Sequence, residues 1–370
     1  MRGLMMTTMS ALLASCNPAD DAGNRAASVA APAVPATTPA TASAGTMDAV
    51  AADSHAVPVL GTVKTFGDWS VGCDNGGGCM MASLLPEGQI DDAPTLTVAR
   101  DAGLPGAVRI VIDTRGSAAA TAVLIGSRSI GGTTRDGSFI GTAAEGMVAA
   151  MADAATMQVQ GPSGVAIGMI SLKGAAAALR YIDAVQGRAD TPSAIVAKGT
   201  ATTSPTTPAL PVIVALSPTG EAARPSAAQV TAMRREAACD LPEGPDPSPE
   251  MAAIGGGKTL VILPCSTGAY NLSSALFVMD GDGVTPARTD AASGFTEDGK
   301  PGRIAFAVNG SFTDGMLNSY AKGRGIGDCG VSQDFVWDGT MLRLSRQAVM
   351  DECRGNTDLI PVWRARVVRR

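Results

Sequence analysis

Seven cysteines are the residues of this sequence whose type and spacing most directly indicate chemistry. The first, Cys16, follows a Leu, an Ala and a Ser at the end of an apolar leader that has Arg2 near its start and no acidic residue. This arrangement is typical of a bacterial lipobox, in which the signal peptidase cuts before the cysteine and the thiol carries diacylglycerol. We therefore expect residues 1–15 to be a lipoprotein signal peptide and Cys16 to be the lipidated residue.

The other six cysteines favour disulfide chemistry. An even number of cysteines in an exported chain indicates disulfides, because the envelope oxidises thiols. Six cysteines allow many pairings, and we expect the local one, which keeps each bond inside one predicted domain. The expected pairs are Cys73 with Cys79, Cys239 with Cys265, and Cys329 with Cys353.

The alternative use of these cysteines is metal binding, and their spacing disfavours it. Structural zinc sites use closely spaced pairs such as C-x-x-C, which the sequence lacks. The single histidine, His55, lies in a segment predicted to be unstructured, so it cannot complete a Ser-His-Asp or Cys-His centre inside a domain. The sequence thus predicts no metal, no cofactor and no catalytic residue of these kinds.

Two glycine-rich runs resemble ligand-binding loops and depart from the full patterns. Residues 255–259 (GGGKT) are like a phosphate loop, but Ala252 stands at its first glycine position. Residues 323–327 (GRGIG) lack the third-glycine spacing of a dinucleotide site. We expect the first run to be a loop leading into a strand and the second to be a tight turn beside a disulfide.

Two further motifs are also incomplete. Asp280 and Asp282 begin like a calcium loop, but the twelfth position is Ala291, which offers no carboxylate. Ser319 and Lys322 match S-x-x-K, the nucleophile motif of penicillin-recognising enzymes, but the sequence lacks the K-T-G motif that accompanies it. Carboxylates in loops could still form a glycosidase-like pair, although the sequence selects no two among its 34 acidic residues.

The charge balance disfavours a nucleic-acid partner. Lys and Arg number 28 against 34 acidic residues, a net charge of −6, whereas binding to phosphates requires a basic face. The exception is the C-terminus, where Arg364 and Arg366 alternate with Trp363, Ala365 and Val367. This pattern favours a half-buried strand with a solvated basic face, and the alternative is a patch for anionic lipid or glycan.

The composition along the chain predicts two folded regions. A length of 370 residues suits about two domains, since single cores stop growing near about 250 to 300 residues. Residues 16–58 are rich in Ala, Pro and Thr and predict a lipid-anchored, disordered spacer. We expect an N-terminal β-rich domain at 59–189, a linker at 190–225 and a C-terminal β-rich domain at 226–370.

Hydrophobic periodicity predicts an α+β, β-rich fold of two antiparallel β-sheet domains with peripheral helices, each domain bearing disulfides. Predicted helices cover residues 143–152, 172–185 and 226–238, the last with Ser226 as its N-cap. Predicted strands comprise one running through Val63, Phe66 and Trp69, and others at 96–99, 108–113, 122–125, 157–159, 259–264, 275–279, 303–308, 335–337, 341–344 and 361–367.

Two sets of residues carry a resemblance to known bacterial proteins. Residues 66–75 with Cys79, and residues 171–175, resemble the invasion-associated locus B type domain and a related domain-of-unknown-function family of exported proteins, number eleven seventy-six. The second set resembles that numbered family specifically: Cys265, 268–271, 325–330, Trp337, Gly339, 352–355 and Trp363. The resemblance spans about residues 60 to 367 and agrees with the local cysteine pairing.

This resemblance implies an exported envelope protein, and it transfers no catalytic residue because the family has no established activity. Its first half also implies a role at the cell surface or in envelope stress. The sequence favours a non-enzymatic binding or structural module that has an envelope protein or glycan as its partner. Two other functions are compatible with it: an inhibitor of a cell-wall hydrolase such as lysozyme, and a carboxylate-dependent envelope hydrolase. Asn17 after the anchor cysteine favours the outer membrane under the sorting rule of enteric bacteria.

Overall fold

In a computed structural model, the structure describes residues 57–88, 93–134, 137–241, 247–294 and 302–370. The predicted signal peptide, Cys16, His55 and nearly all of the predicted spacer lie outside these ranges. Residues Val50–Arg370 group into one compact unit. The domain boundaries at 189 and 226 stay predictions.

The first half of the described chain contains two antiparallel sheets. The six-stranded sheet has the order β1-β2-β3-β4-β5-β8, and the four-stranded sheet has the order β10-β9-β6-β7. In chain order, the elements are β1 (Val63–Phe66), β2 (Trp69–Cys73), β3 (Cys79–Ser83), β4 (Thr95–Arg100), β5 (Val108–Asp113), β6 (Ala122–Ile125), β7 (Arg128–Gly131), β8 (Phe139–Ile140), α1 (Gly141–Met151), β9 (Thr156–Gln160), β10 (Ala166–Ser171) and α2 (Ala175–Val185).

Two glycines correct the predicted boundaries in this half. The single strand predicted from Val63 through Trp69 is a hairpin, because Gly67 adopts a φ of 61° between β1 and β2. The helix predicted from residue 172 begins instead at Ala175, after Gly174 with a φ of 95°. A Cβ atom at Gly174 would overlap the backbone oxygen of Phe66, so only glycine allows the two segments to approach so closely.

The first hydrophobic core lies among these two sheets and both helices. Trp69, Phe139, Met147 and Leu179 are fully buried in it. The indole Nε1 of Trp69 donates to the backbone oxygen of Ser171 at 3.1 Å, which satisfies its polar atom as burial requires. Trp69 is therefore a core anchor.

The second half of the described chain adds two five-stranded antiparallel sheets and a two-stranded parallel ribbon. One sheet has the order β12-β13-β14-β15 with β16 also on β14, and the other has the order β17-β18-β19-β20-β21. The elements are β11 (Val212–Ala215), α3 (Ala227–Glu236), β12 (Glu250–Gly255), β13 (Lys258–Thr267), β14 (Leu272–Asp280), β15 (Gly283–Pro286), β16 (Phe306–Val308), β17 (Ser311–Thr313), β18 (Met316–Lys322), β19 (Gly330–Trp337), β20 (Leu342–Met350), β21 (Ile360–Arg364) and β22 (Arg366–Arg369).

Helix α3 has the predicted N-cap, and part of the predicted linker forms a strand. Ser226 caps α3 in a capping box with Gln229, as the predicted N-cap requires. Within the segment predicted as a linker, β11 pairs in parallel with β22. Ile213 of that strand is buried against Val336, so this part of the segment is ordered by packing. Within the described ranges, no helix has both the length and the apolar composition needed to cross a membrane.

A third packing region joins the two halves. Strand β21 packs on β2 and β3, and Leu84 of the first half is buried with Met350 and Ile360 of the second. The β-rich fold with several antiparallel sheets, predicted from the alternation of apolar residues, is confirmed.

Candidate functional site

The structure contains three disulfides, and they follow the local pairing. The bonds join Cys73 to Cys79, Cys239 to Cys265, and Cys329 to Cys353. The first pair lies at facing positions of neighbouring strands β2 and β3, and the third connects the turn before β19 to the segment after β20. Their role is to hold strands and loops in place. Cys16 lies outside the described residues.

The incomplete ligand-binding motifs form turns. Gly255, Gly256 and Gly257 all have positive φ in the hairpin between β12 and β13, and the following Lys258 forms an ion pair with Asp280. The turn between β14 and β15 pairs Asp280 with Gly283. The glycine run at 255–257 and the residues 280–283 therefore both form hairpin turns.

The S-x-x-K motif lies along strand β18. Ser319 is 3% exposed, and its Oγ accepts a hydrogen bond from the backbone N–H of Val308 at 2.9 Å. Successive side chains of a strand alternate between faces, so Ser319 and Lys322, three positions apart, lie on opposite faces. Lys322 cannot act as the base for Ser319 in this arrangement.

The stretches that carry the family resemblance contact one another. Asp68 donates its N–H to the backbone oxygen of Lys173 at 2.9 Å, which joins the two first-half stretches. In the second half, Tyr270 donates its hydroxyl to the backbone oxygen of Gly323 at 2.7 Å. These stretches therefore hold loops together, which gives them a structural role.

A charged network, which we name the docking network, connects the two halves through Asp68, Arg324, Asp328, Arg354 and Gly355. Arg354 donates from all three guanidinium nitrogens, to the backbone oxygens of residues 85 and 67 at 2.7 and 3.2 Å and to Asp68 at 2.6 Å. Asp328 is fully buried and accepts from Arg324 and from the N–H of Gly355. Both carboxylates of this network thus have a guanidinium partner.

The hydrogen bonds of the docking network determine its protonation. Burial alone would raise the pKa of Asp328, but hydrogen bonds from Arg324 and the Gly355 N–H outweigh it and hold the pKa below its ordinary value. Burial also opposes ionisation of Asp68, and hydrogen bonds from Arg354 and Ser171 lower its pKa. Both groups are therefore ionised at neutral pH and serve as structural acceptors.

A second charged cluster lies in the first half, beside a cavity of about 290 Å³. We name this cavity and its charged side chains the arginine pocket. Its wall comes from the end of β4, the loop between β4 and β5, helix α1 and the segment that follows α2. The charged and polar side chains are Arg100, Glu145, Ser193 and Lys198, with Arg188 behind the wall at Gly106.

Asp183 is the carboxylate that pairs with Arg100, and it does not itself line the cavity. It is fully buried on α2, and Arg100 donates to it at 2.7 Å. The backbone N–H groups of Ile195, Val196 and Ala197 also donate to it, at distances from 2.8 to 3.2 Å. The carboxylate oxygens of Asp183 are thus fully engaged by one guanidinium and three peptide groups.

The two arginines of this cluster retain unused donors. Arg100 is 4% exposed and Arg188 is fully buried. Arg100 gives one further hydrogen bond to the backbone oxygen of Ser193 at 2.5 Å, and Arg188 donates to Gln186 at 3.0 Å and to the backbone oxygen of Gly103. Within the described residues, Nε of Arg100 and Nη1 of Arg188 are buried without a hydrogen-bond partner.

The charge of this cluster is unbalanced. Two guanidinium groups face one carboxylate, and burial lowers the pKa of Arg100 and of Arg188 while Asp183 raises both. The pKa of Arg188 is lowered further by the charge of Arg100. A buried guanidinium has a high desolvation cost unless an anion compensates it, so the arrangement favours an additional negative group.

The mouth of the arginine pocket carries charges of both signs. Glu145 on α1 and Lys198 are exposed, and Lys198 donates its Nζ to the backbone oxygen of Ala194 at 2.8 Å. Apolar side chains, including Val108 and Val148, complete the wall. The pocket therefore combines a cationic inner end with an apolar wall and a polar mouth, which is the usual composition of a small-ligand site.

Sequence reasoning did not identify this pocket, although one signal was present. Leu179 and Ile182 define the buried face of α2, and Asp183 lies on that same face four positions after Leu179. A carboxylate on an apolar helix face indicates a buried partner, but the sequence does not indicate that the partner of Asp183 is Arg100. Among the described residues, no cluster of three or more His, Cys, Asp or Glu side chains could hold a metal ion.

Comparison with known proteins places the chain among proteins of unknown function. Residues 63–368 match a family described as protein of unknown function (DUF1176). The uncharacterized protein YpfG of Escherichia coli (strain K12) is 27% identical over 202 residues, which cover 50% of this chain and 55% of that relative. The chain thus spans about half the length of the curated relative that it matches. No solved structure matches. Because the family match extends over most of the chain, the chain belongs to the DUF1176 family.

Proposed function

We propose that the protein is a non-enzymatic binding module that holds a small ligand bearing a carboxylate in the arginine pocket. The observation that carries this proposal is the excess of positive charge beside the cavity, where Arg100, which lines it, and Arg188 are both buried next to the carboxylate of Asp183. A carboxylate accepts from guanidinium groups through charge-assisted hydrogen bonds, which are about twice as strong as neutral ones. Such a ligand would balance the excess positive charge of the cluster.

The proposal includes a location in the cell envelope. The lipobox before Cys16 and the Ala/Pro/Thr-rich spacer at 16–58 support an exported lipoprotein with the binding module held away from the membrane. The three disulfides support an oxidising compartment. Incorporation of labelled palmitate into the full chain, and its loss in Cys16→Ser, tests the anchor, and equal labelling of both chains would refute it.

The likeness of the first half to the invasion-associated locus B type domain is also a proposal. The contact between Asp68 and Lys173 supports it, because the two stretches that carry the likeness form one structural unit. A role at the cell surface would follow from it. Accessibility of the full-length protein to protease on intact cells tests that role, and complete protection would refute it.

The binding proposal is tested with a carboxylate and its neutral isostere. We expect 4-methylpentanoate to bind the full-length protein and 4-methylpentanamide not to bind, as measured by NMR titration. Lys198→Met should weaken binding of 4-methylpentanoate by about tenfold, since it removes a cation from the mouth of the pocket. Lys173→Met is the matched control, because Lys173 is exposed and does not line the cavity. Equal binding of acid and amide would refute the proposal.

A further inference from the structure

The ribbon of β11 and β22 has one packed face and one exposed face. Ile213 is buried and Val367 is partly buried in the same hydrophobic cluster. Because successive side chains of a strand alternate between faces, Val214, Arg366 and Val368 lie on the other face. All three are exposed, so the outward surface of the ribbon is open to solvent.

The outward surface of the ribbon carries two apolar and two basic side chains. Val214 and Val368 lie opposite each other in the register of the two strands and are 38% and 40% exposed. Arg366 lies two positions before Val368, and Arg370, two positions after it, is also exposed. Neither strand contains an acidic residue. We name these four residues the ribbon face: Val214, Arg366, Val368 and Arg370.

The two arginines of the ribbon face differ from their neighbours in having free side chains. Arg364 forms an ion pair with Asp74 at 2.5 Å, and Arg369 donates to three backbone oxygens. The side chains of Arg366 and Arg370 form no hydrogen bond or ion pair with any other residue that the structure describes. Their charges are therefore available to an external anion.

An anionic lipid surface matches both the charges and the valines of the ribbon face. Lipid phosphates accept charge-assisted hydrogen bonds from guanidinium groups, often two at a time. Exposed apolar side chains between basic ones can enter the boundary between the headgroups and the acyl chains. A glycan offers no apolar layer, so it would leave the valine pair exposed. The composition of the ribbon face thus favours lipid over glycan.

The described chain joins the fold beside the strand that leads to the ribbon face. The N–H of Gly61 donates to the backbone oxygen of Val362 on β21 at 2.9 Å, four positions before Arg366. Residues 57–60 include three exposed apolar side chains. The anchor proposed at Cys16 would therefore hold a membrane within reach of this side of the fold.

We propose that the ribbon face docks on an anionic lipid surface, with Arg366 and Arg370 bound to lipid phosphates and the valine pair in the headgroup layer. This contact is separate from the arginine pocket and from the acyl chain. It would orient the folded part of the protein on the membrane. It relies on the proposed envelope location, which supplies that membrane.

Co-sedimentation with vesicles tests the ribbon face apart from the anchor. The protein is prepared without residues 1–15 and with Cys16→Ser, so that neither leader nor acyl chain binds lipid, and all described residues are kept. At about 0.1 M salt, charges more than about 10 Å from the vesicle are largely screened. We expect binding to vesicles of equal parts phosphatidylglycerol and phosphatidylcholine to be about tenfold tighter than binding to phosphatidylcholine alone.

Two double variants with the same change of charge separate the ribbon face from the net charge of the protein. Arg366→Gln with Arg370→Gln should weaken binding to the mixed vesicles about tenfold, because each basic residue near an anionic surface strengthens attachment severalfold. Arg128→Gln with Arg180→Gln is the matched control, since both arginines are exposed in the first half, and it should leave binding unchanged.

A third variant tests the apolar part of the ribbon face. Val368→Ser keeps both arginines and removes apolar surface that the lipid would cover, so binding to the mixed vesicles should weaken about threefold. Unchanged binding of this variant would overturn the insertion of the valine pair into the headgroup layer.

The remaining outcomes decide the proposal as a whole. If the variant of Arg366 and Arg370 binds mixed vesicles as tightly as the unaltered protein, or if the control variant loses as much, the ribbon face does not dock on lipid. Retention on insoluble peptidoglycan without binding to vesicles would also overturn the proposal. Palmitate labelling and titration with 4-methylpentanoate are independent of these measurements, so failure of the ribbon face leaves the anchor and the carboxylate site standing.

Discussion

The docking network and the arginine pocket are built from the same residue types and differ in their completeness. In the docking network, Arg354 uses all three of its guanidinium nitrogens and Asp328 is paired with Arg324. In the arginine pocket, Arg100 and Arg188 both lie near the carboxylate of Asp183, and each has one buried nitrogen without a hydrogen-bond partner among the described residues.

This difference distinguishes a structural role from a binding role. A fully satisfied buried network stabilises one arrangement and offers nothing to a ligand. A network with an excess of buried charge costs free energy in the empty protein, and a ligand whose negative charge balances it recovers part of that cost. The docking network therefore holds the two halves together, and the arginine pocket is the better candidate for binding.

The largest expected effect separates the two buried carboxylates. Asp183→Asn should lower the free energy of unfolding by about 3–5 kcal/mol, because the two buried guanidinium groups then lose the negative charge of Asp183. Asp328→Asn should cost less, about 1–3 kcal/mol, since Arg324 is partly exposed and can turn toward water. Urea denaturation of both variants measures the difference. Equal losses would remove the distinction between the two clusters.

A glycine substitution tests the position of Arg188. Gly106 has a φ of 69°, and a Cβ atom there would overlap Nη2 of Arg188. Gly187 has a φ of 65° with open space around it, so Gly187→Ala is a control with matched backbone strain. We expect Gly106→Ala to lose about 1–3 kcal/mol more than Gly187→Ala, measured by thermal or urea unfolding. Equal losses would show that Arg188 can move without cost.

The next smaller effect on stability tests whether Arg354 acts through the shape of its guanidinium group. Arg354→Lys keeps the charge but cannot reach three acceptors at once, so the free energy of unfolding should fall by about 2 kcal/mol. Arg366→Lys, on an exposed position of β22, is the control and should change stability by less than about 0.5 kcal/mol. An unchanged midpoint for Arg354→Lys would mean that the docking network does not hold the halves together.

The smallest effect concerns the pH dependence of two aspartates at the junction of the halves. The pKa of Asp68 is lowered when folded, since its hydrogen bonds to Arg354 and Ser171 outweigh burial, so its stabilisation is present above the unfolded pKa and lost as pH falls through the folded pKa. Burial raises the pKa of Asp358, so its contribution has the opposite sign, and stability rises as pH falls through the folded pKa.

Unfolding midpoints between about pH 3 and 7 measure these signs. Asp68→Asn should flatten the loss of stability toward acid, and Asp358→Asn should steepen it. A change of the same sign in both variants would contradict the assigned shifts.

Features encoded in short stretches could be predicted from the sequence. The capping box of Ser226 and Gln229 lies within four residues, and the local pairing of the six cysteines matches the disulfides. Strand β18 was not predicted, because its alternation of Leu317, Ser319 and Ala321 on the buried face places a polar residue among apolar ones.

The arginine pocket could not be predicted because it depends on distant residues. Arg100 and Asp183 are 83 positions apart and meet only when α2 packs on the six-stranded sheet. The sequence predicts a linker at 190–225, yet the backbone N–H groups of Ile195 to Ala197 in this segment donate to the buried carboxylate of Asp183. The composition of a Thr- and Pro-rich segment does not reveal that its backbone will bind a buried carboxylate.

The parallel ribbon of β11 and β22 has a consequence for the order in which the protein is made. Val212 lies opposite Arg366 and Ala215 lies opposite Arg369, so β11 gains its partner strand only after residues 366–369 have been synthesised. Until then the β11 backbone is unpaired on this side, and an unpaired strand edge is a site for association with other chains. A chain truncated before residue 366 would therefore be prone to aggregation and proteolysis, although it would keep the cysteines of all three disulfides described above.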